Sequence, residues 1–354
     1  MNTQKNIRSL NLEEITEYFA TIGEKKFRAK QVWEWIWKKH AQTFEDMTNL
    51  SKELRDNLKT NFTLPAITNN LAQYSTDGTV KARFKTFDGH LVEGVLIPVE
   101  SRQTACVSSQ VGCSLSCKFC ATGFMDKKRN LTFDEIYDQV ALLNEISEKT
   151  SGKKLSNIVF MGMGEPLLNY KNVLKAIERI TAHDGLGMSA RRITVSTSGI
   201  SKMIKQLGDD GVKFHLALSL HAANDAKRSQ LMPINESNNI QSLIEALNYF
   251  HNKTKNDITF EYILFKNEND SIKDADDLIK IYKQVPVHLI NVIEYNPIDQ
   301  ADYQKPDREA TQKFMDYLAA HKVNVRLRIS RGKDIDAACG QLANKGEQNI
   351  VTES

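Results

Sequence analysis

Long hydrophobic runs are missing from this 354-residue sequence: no apolar stretch approaches the ~18 residues that a membrane-spanning helix needs. A mean hydropathy of −0.43 leaves no membrane-embedded body. The amino-terminal residues Met1 to Lys5 lead into alternating polar and apolar positions without the apolar core of a secretion signal, so a cytoplasmic chain is expected. Charge of one sign is also scarce. Forty-seven basic against forty-four acidic residues leave a net charge of +3, too small an excess to argue for nucleic acid by itself. Neither an internal repeat nor a low-complexity tract is present, which excludes solenoids and repeat arrays. The length excludes a short peptide module and fits one large domain or two smaller ones.

Cysteine is sparse but clustered: three of five, Cys113, Cys117 and Cys120, lie within eight residues, with Cys106 just before them and Cys339 alone near the other end. In a chain of a reducing compartment such clustering points to metal or redox chemistry rather than to structural disulfides.

The first sixty-odd residues predict a separate helical unit. Leu12, Ile15, Tyr18 and Phe19 share one helical face, as do Phe27, Val32, Trp35 and Ile36, and Asn49 or Ser51 is placed to cap a helix that includes Leu54 and Leu58. Lys25, Lys26, Arg28, Lys30, Lys38 and Lys39 make its middle basic, which suits an RNA backbone or an ordinary solvated face over an aromatic core. Residues 67–99 read as extended, with Asp88 and Gly89 as a hairpin turn and Pro98 as the stop. From about residue 103, strands at 104–108, 157–161, 192–196, 213–219, 258–264 and 288–294 alternate with helical stretches such as 132–147, 170–181, 239–251 and 307–320. That alternation implies a parallel sheet covered by helices. Six units fall short of the eight-stranded barrel, so an α/β fold with an open, partial (β/α)6 barrel is expected. The organisation is then a helical accessory domain (1–66), a β extension or linker (67–99), a partial barrel ending in a catalytic loop (100–342) and a polar tail (343–354), with a last extended piece at 323–329.

Thiols at spacings of four and three can converge on one small object. A tetrahedral zinc site would need a fourth cysteine or histidine, and Cys106 or a distant histidine could complete it. An iron–sulfur cube needs a ligand for each of four irons, so three cysteines would leave one iron open to substrate.

The C-x-x-x-C-x-x-C pattern resembles the signature of the radical S-adenosylmethionine enzymes, in which the open iron of a [4Fe-4S] cluster holds the cofactor and a 5′-deoxyadenosyl radical is released. The segment from Met161 to Leu167, with Gly164 and Glu165, resembles that superfamily's glycine–glutamate–proline element for the cofactor's amino group. Ser196, the run Ser219, Leu220 and His221, and Asn296 are similar to its further cofactor contacts, and all fall at the carboxyl ends of expected strands, where barrel active sites form. Read singly, each has a plainer account as a turn, a cap or a core histidine.

The segment from Ser330 to Leu342, that from Cys106 to Gly112, residues Phe27 to Gln31 and Phe44 to Met47 closely resemble the RNA methyltransferases that modify adenine C2. The resemblance implies methylation of an adenine in 23S ribosomal RNA at the peptidyl-transferase centre and of adenine 37 in transfer RNA. Two S-adenosylmethionine molecules would be consumed per turnover, with flavodoxin or ferredoxin as the electron donor, and the chain would act as a monomer away from any membrane. By the same resemblance Cys339 takes a methyl group and presents it as a methylene radical, Cys106 releases the product by forming a transient disulfide with Cys339, and Glu93 removes the C2 proton. Without the resemblance, Glu93 reads as a solvent-facing strand residue and Cys339 as an inert thiol, with Gly340 suggesting a mobile loop. Basic stretches at Lys127, Lys128 and Arg129 and at Arg326, Arg328, Arg331 and Lys333 are candidate RNA surfaces. The rival enzyme is the related C8 methyltransferase of the same ribosomal adenine; rivals of another class are an iron–sulfur electron carrier and a zinc-stabilised RNA-binding protein.

Overall fold

The computed structural model describes residues 4–345; residues 346–354, most of the expected polar tail, lie outside the described residues. Near the amino terminus stand three helices, α1 (Leu12–Thr21), α2 (Lys26–Trp37) and α3 (Lys52–Asn61). Asn11 and Glu14 close a reciprocal cap on α1, and Ser51, rather than Asn49, caps α3 by accepting from Leu54 N. Asn49 instead accepts from the Trp35 indole.

The remainder is built on one ten-stranded sheet whose spatial order follows the chain. Its strands are β1 (Thr68–Tyr74), β2 (Val80–Lys85), β3 (Leu91–Val99), β4 (Arg102–Cys106), β5 (Asn157–Phe160), β6 (Ile193–Thr197), β7 (His215–Ser219), β8 (Ile258–Leu264), β9 (Val287–Glu294) and β10 (Val325–Arg328). Pairing is antiparallel from β1 to β4 and parallel from β4 to β10. The expected six parallel strands therefore gain a seventh, because 323–329 joins the sheet. The helices α4 (Phe133–Ser151), α5 (Tyr170–Thr181), α6 (Ser201–Asp209), α7 (Asp225–Leu231), α8 (Ile240–Thr254), α9 (Ile272–Tyr282) and α10 (Arg308–Ala320) lie between the parallel strands in the chain. Unbroken sequential order with right-handed crossovers puts them on one side of the sheet.

Pro98 does not stop β3, which runs on to Val99. Gln103, opposite Pro98, bonds through its backbone to Ser156 and so faces away from β3. Pro98 therefore points its missing donor towards β2, whose pairing has already ended at Leu96.

After β10 the chain crosses back over the sheet. On the β9 side Lys333 pairs with Glu294 (2.9 Å) and the Gln341 amide donates to Pro297 O (3.1 Å). On the β1–β3 side Gly332 N donates to Asp77 (2.9 Å), Ser75 Oγ to Asp334 (2.6 Å) and the Asn344 amide to Leu91 O (2.7 Å). Residues 330–345 thus bridge the two sides of the open barrel. No helix among the described residues is long and apolar enough to cross a membrane.

Candidate active site

The carboxyl ends of β5 to β8 open into a cleft of about 900 Å³, counted to its mouth. Cys113, Cys117, Cys120, Gly164, Glu165, Ser196, Ser219, His221 and Cys339 all line it. Residues named from separate stretches of sequence therefore meet in one place, as the strand-end rule requires.

The cysteine loop is held tightly. Ser116 takes a left-handed conformation (φ 54°), Cys120 N donates to Cys117 O (3.2 Å), and Gly123 N donates to Cys120 O (2.8 Å). Leu115, Phe119, Met232, Phe265 and Tyr295 pack around it. Burial pushes all three thiols up, so the ligands would ionise only against a compensating cation. No three His, Cys, Asp or Glu side chains among the described residues converge as a single ion requires. A cube's ligands stand farther apart than those of one ion, and three soft thiols on the wall of one largely apolar cleft fit an iron–sulfur cluster.

Glycine shapes the opposite wall. A Cβ on Gly162 would stand 2.7 Å from Val107 O, and one on Gly164, at φ +91°, 2.4 Å from the Gln110 side chain. Only glycine lets this turn lie against the chain that follows β4. Glu165 caps the next turn, accepting from Leu167 N (3.0 Å) and Ser198 N (2.8 Å). Burial raises its carboxyl against those bonds. His221 accepts from Ile263 N at Nδ1 (3.2 Å) and is brought down to about 3 by burial, so the imidazole is neutral with its proton on Nε2. Two of the expected cofactor contacts lie behind the lining: Leu220 is fully buried, and Asn296 donates to Cys339 O (3.3 Å).

Cys339 is exposed to the cleft while its neighbours are fixed. Gly340 O accepts from Ala121 N (2.7 Å) and Leu342 O from Thr122 Oγ1 (2.6 Å), so the loop read as mobile is bonded to the segment following Cys120. Cys106 ends β4, buried. Its thiol is pushed up to about 12 by burial and then by the Cys339 sulfur, with Arg328 opposing. Cys339, open to the cleft but crowded by its walls, is also raised by loss of solvation, again against Arg328. All five cysteines carry free thiols, so no disulfide is resident in the fold, and the Cys106–Cys339 bond implied by the resemblance is a transient one that this state does not hold.

Glu93 is not the solvent-facing strand residue of the plain reading. It is 2% exposed, and its Oε2 accepts from Ala343 N (3.0 Å) and Asn344 N (3.2 Å), with Lys81 at 3.9 Å from Oε1. The carboxylate therefore sits directly behind Leu342, which lines the cleft.

Several lining groups escaped the sequence reading. Glu261, buried on β8, accepts from the Asn291 amide (2.8 Å) and lies 3.5 Å from Arg328, which also reaches Met161 Sδ (3.6 Å). A lone carboxylate in the apolar run of β8 was the available signal. Arg328, its side chain about a third exposed, pairs with Glu261 of the cleft wall, and Lys333 is taken up by Glu294. Ser198 lies in a serine- and threonine-rich strand end that offered no way to rank its members.

Comparison with known proteins agrees with this geometry. The family model for the ribosomal RNA large subunit methyltransferase N-terminal domain matches residues 5–64, and that for the radical SAM superfamily matches residues 107–279. A probable dual-specificity RNA methyltransferase RlmN of Cytophaga hutchinsonii is 56% identical over 97% of this chain and 93% of its own length. The protein of the same description from Flavobacterium psychrophilum is 52% identical, covering 97% and 98%. The crystal structure of a radical SAM methyltransferase from Sphaerobacter thermophilus superposes with a TM-score of 0.90 at 39% identity, covering 96% of this chain and 99% of that one. With a cysteine loop, a glycine turn and a carboxyl-terminal cysteine gathered in one cleft, and with likeness along nearly its whole length, the chain belongs to the RlmN family of radical SAM RNA methyltransferases.

Proposed function

We propose that this protein methylates C2 of an adenine in 23S ribosomal RNA and adenine 37 of transfer RNA, through a methyl group carried on Cys339. The observation that carries this reading is the position of Cys339, on the wall of the same cleft as Cys113, Cys117 and Cys120 and within electrostatic reach of Cys106. Adenine C2 is an sp² carbon without a useful lone pair, so direct displacement has no nucleophile there, whereas a thiolate is well suited to it.

Cys113, Cys117 and Cys120 would hold the [4Fe-4S] cluster, and Gly164, Glu165, Ser196, Ser219 and His221 would surround S-adenosylmethionine with Leu220 and Asn296 supporting them from behind, two molecules being used per turnover. Bound together, these groups supply one-electron cleavage to a carbon radical. The chain's own residues do the rest. Cys339 Sγ displaces the methyl from the sulfonium of one S-adenosylmethionine, forming an S–C bond as S-adenosylhomocysteine leaves. Glu93 takes the C2 proton once the carbon–carbon bond to the base has formed. Its present bonds to Ala343 and Asn344 support a role timed by movement of that segment. The Cys106 thiolate bonds to the Cys339 sulfur, and a new S–S bond replaces the S–C bond. The bonding pair stays on the methylene carbon, which takes a proton to become the product's methyl. The odd electron left by radical addition returns to the one-electron donor couple, and two electrons from the low-potential donor later reopen the disulfide. Arg328, held by Glu261, is the cation beside both sulfurs and favours their ionised forms.

Residues 1–66 are assigned to RNA contact, with the target base unstacked to reach the cleft. The protein would act as a cytoplasmic monomer with a low-potential donor such as flavodoxin or ferredoxin. Peptide mass spectrometry after incubation with S-adenosylmethionine tests the carrier role. A methyl on the peptide bearing Cys339 is expected, and product formation by Cys339→Ala would refute it. Loss of 2-methyladenosine from both RNAs of a deletion strain is the expected cellular result; loss from one alone would narrow the substrate range.

A further inference from the structure

Arg228 is a fully buried arginine on α7 whose hydrogen bonds all end on neutral groups. Nε donates to Leu220 O (3.1 Å), Nη1 to Asn235 Oδ1 (2.8 Å), and Nη2 to Ser198 O (2.6 Å) and Ser219 O (3.2 Å). The carboxylate of Asp225 is engaged elsewhere, accepting from the Asn235 amide (3.0 Å) and from Ile240 N (2.9 Å). A guanidinium taken out of water without a paired anion carries a large desolvation penalty that hydrogen bonds to carbonyls only partly offset. Tying together the ends of β6 and β7 does not by itself require a charge, since a neutral amide could bond the same carbonyls.

The cysteine loop packs against the carboxyl-terminal end of α7, and two acceptors of Arg228, Ser198 O and Ser219 O, belong to residues that line the same cleft as the three cysteines. Lys118 N, next to Cys117, donates to Leu231 O (3.0 Å), the last residue of α7, and Leu231 and Met232 share an apolar cluster with Leu115, Cys117 and Phe119. Desolvation brings the guanidinium down to about 10, with the Cys117 sulfur and then the Asp225 carboxylate, one residue removed through Asn235, acting against that shift. Three thiolates would leave a bound cluster net negative, and one-electron reduction would make it more so.

We propose that Arg228 is the resident counter-charge of the metal centre, a positioning and tuning residue that stabilises the reduced, more negative cluster while its fork fixes the strand ends around the cofactor. The inference rests on the cluster reading proposed above. A fixed cation buried behind the cleft wall that carries the cysteine loop acts at low effective dielectric. Its removal therefore makes one-electron reduction harder.

The test is the midpoint potential of the reconstituted holoenzyme, titrated anaerobically with dithionite and redox mediators and followed by the electron paramagnetic resonance signal of the reduced cluster. Arg228→Met should lower the potential, and Arg228→Lys, which keeps the charge and loses the fork, should restore most of it. Should the methionine variant fail to hold a cluster, Arg228→Gln, which keeps donors without charge, is read in its place. An unmoved potential in the neutral variant, or a fall in the lysine variant as large as in the neutral one, would overturn the proposal. Failure of the parent protein to take up iron and sulfide would instead refute the cluster reading itself.

Discussion

The two ends of the chain are attached to the barrel in opposite ways. The amino-terminal helices dock on α4 through a dry contact. Trp37 is 1% exposed, its ring meets Tyr137 edge-on at 5.1 Å, and Arg8 pairs with Asp138 at 2.6 Å with both side chains buried. Asn6 adds a bond to Asp134, and the Trp33 indole donates to Asp184 (2.7 Å). The carboxyl-terminal segment, residues 330–345, buries only small stretches such as Ala337 and Leu342 and is held mostly by hydrogen bonds, with Glu93, Asp77, Asn296 and Thr122 each taking part, and by the partly exposed ion pair of Lys333 with Glu294. Apolar burial with a closed ion pair makes a permanent joint. Single hydrogen bonds, each contributing about 0.5–1.5 kcal/mol, can be exchanged one by one, which suits the role proposed above for Cys339.

This contrast can be broken at several points. Cys339→Ala should abolish turnover completely while leaving the thermal transition near that of the parent, and Cys106→Ala should accumulate a covalent RNA–protein adduct visible on denaturing gels; free turnover by the latter would remove Cys106 from the release step. At the other end, burial pushes the Asp138 carboxyl up against the pull of Arg8, so the intact pair adds little net stability while an orphaned Arg8 is costly. Asp138→Ala should therefore lower unfolding free energy by about 3–5 kcal/mol in urea titrations. Cofactor binding to the remaining folded protein should hold, and a loss would mean that the two ends are not independent. A smaller effect, about 1 kcal/mol, is expected for Ser51→Ala, which deletes the cap of α3.

The smallest effect concerns pH. Burial raises the Asp77 carboxyl, but hydrogen bonds from Thr79 and Gly332 outweigh it and bring the group down to about 2. A depressed carboxyl stabilises the fold above its unfolded value, ~3.9, and that contribution is lost as pH falls through about 2. Asp77 is largely exposed, so Asp77→Asn should lower Tm by less than about 2 °C at neutral pH. That difference should close between about pH 4 and pH 2; a difference that persists at pH 2 would show that the carboxylate is not the anchor.

What the sequence made legible follows the same division. Period-2 and period-3.6 patterning carried the strand and helix alternation, and local motifs carried the cysteine loop, the glycine turn and the strand-end serines, because each of those signals lies within a few residues. Pro98 misled because its effect depends on which side of β3 is unpaired, a property of the neighbouring strand. Glu93, Asn296 and Arg328 were named, yet what each touches depends on residues about 40 to 250 positions away, such as Ala343, Cys339 and Glu261. Arg228 left no signal: on a seven-residue helix among polar neighbours it reads as an ordinary surface arginine.

The central claim is that this cleft directs a methyl group to adenine C2. Reconstituted protein supplied with S-adenosylmethionine, a one-electron donor and unmodified 23S ribosomal RNA or transfer RNA should yield nucleosides that chromatograph and fragment as 2-methyladenosine in mass spectrometry. Recovery of 8-methyladenosine, or of no methylated adenosine from a sample that carries its cluster, would contradict the account.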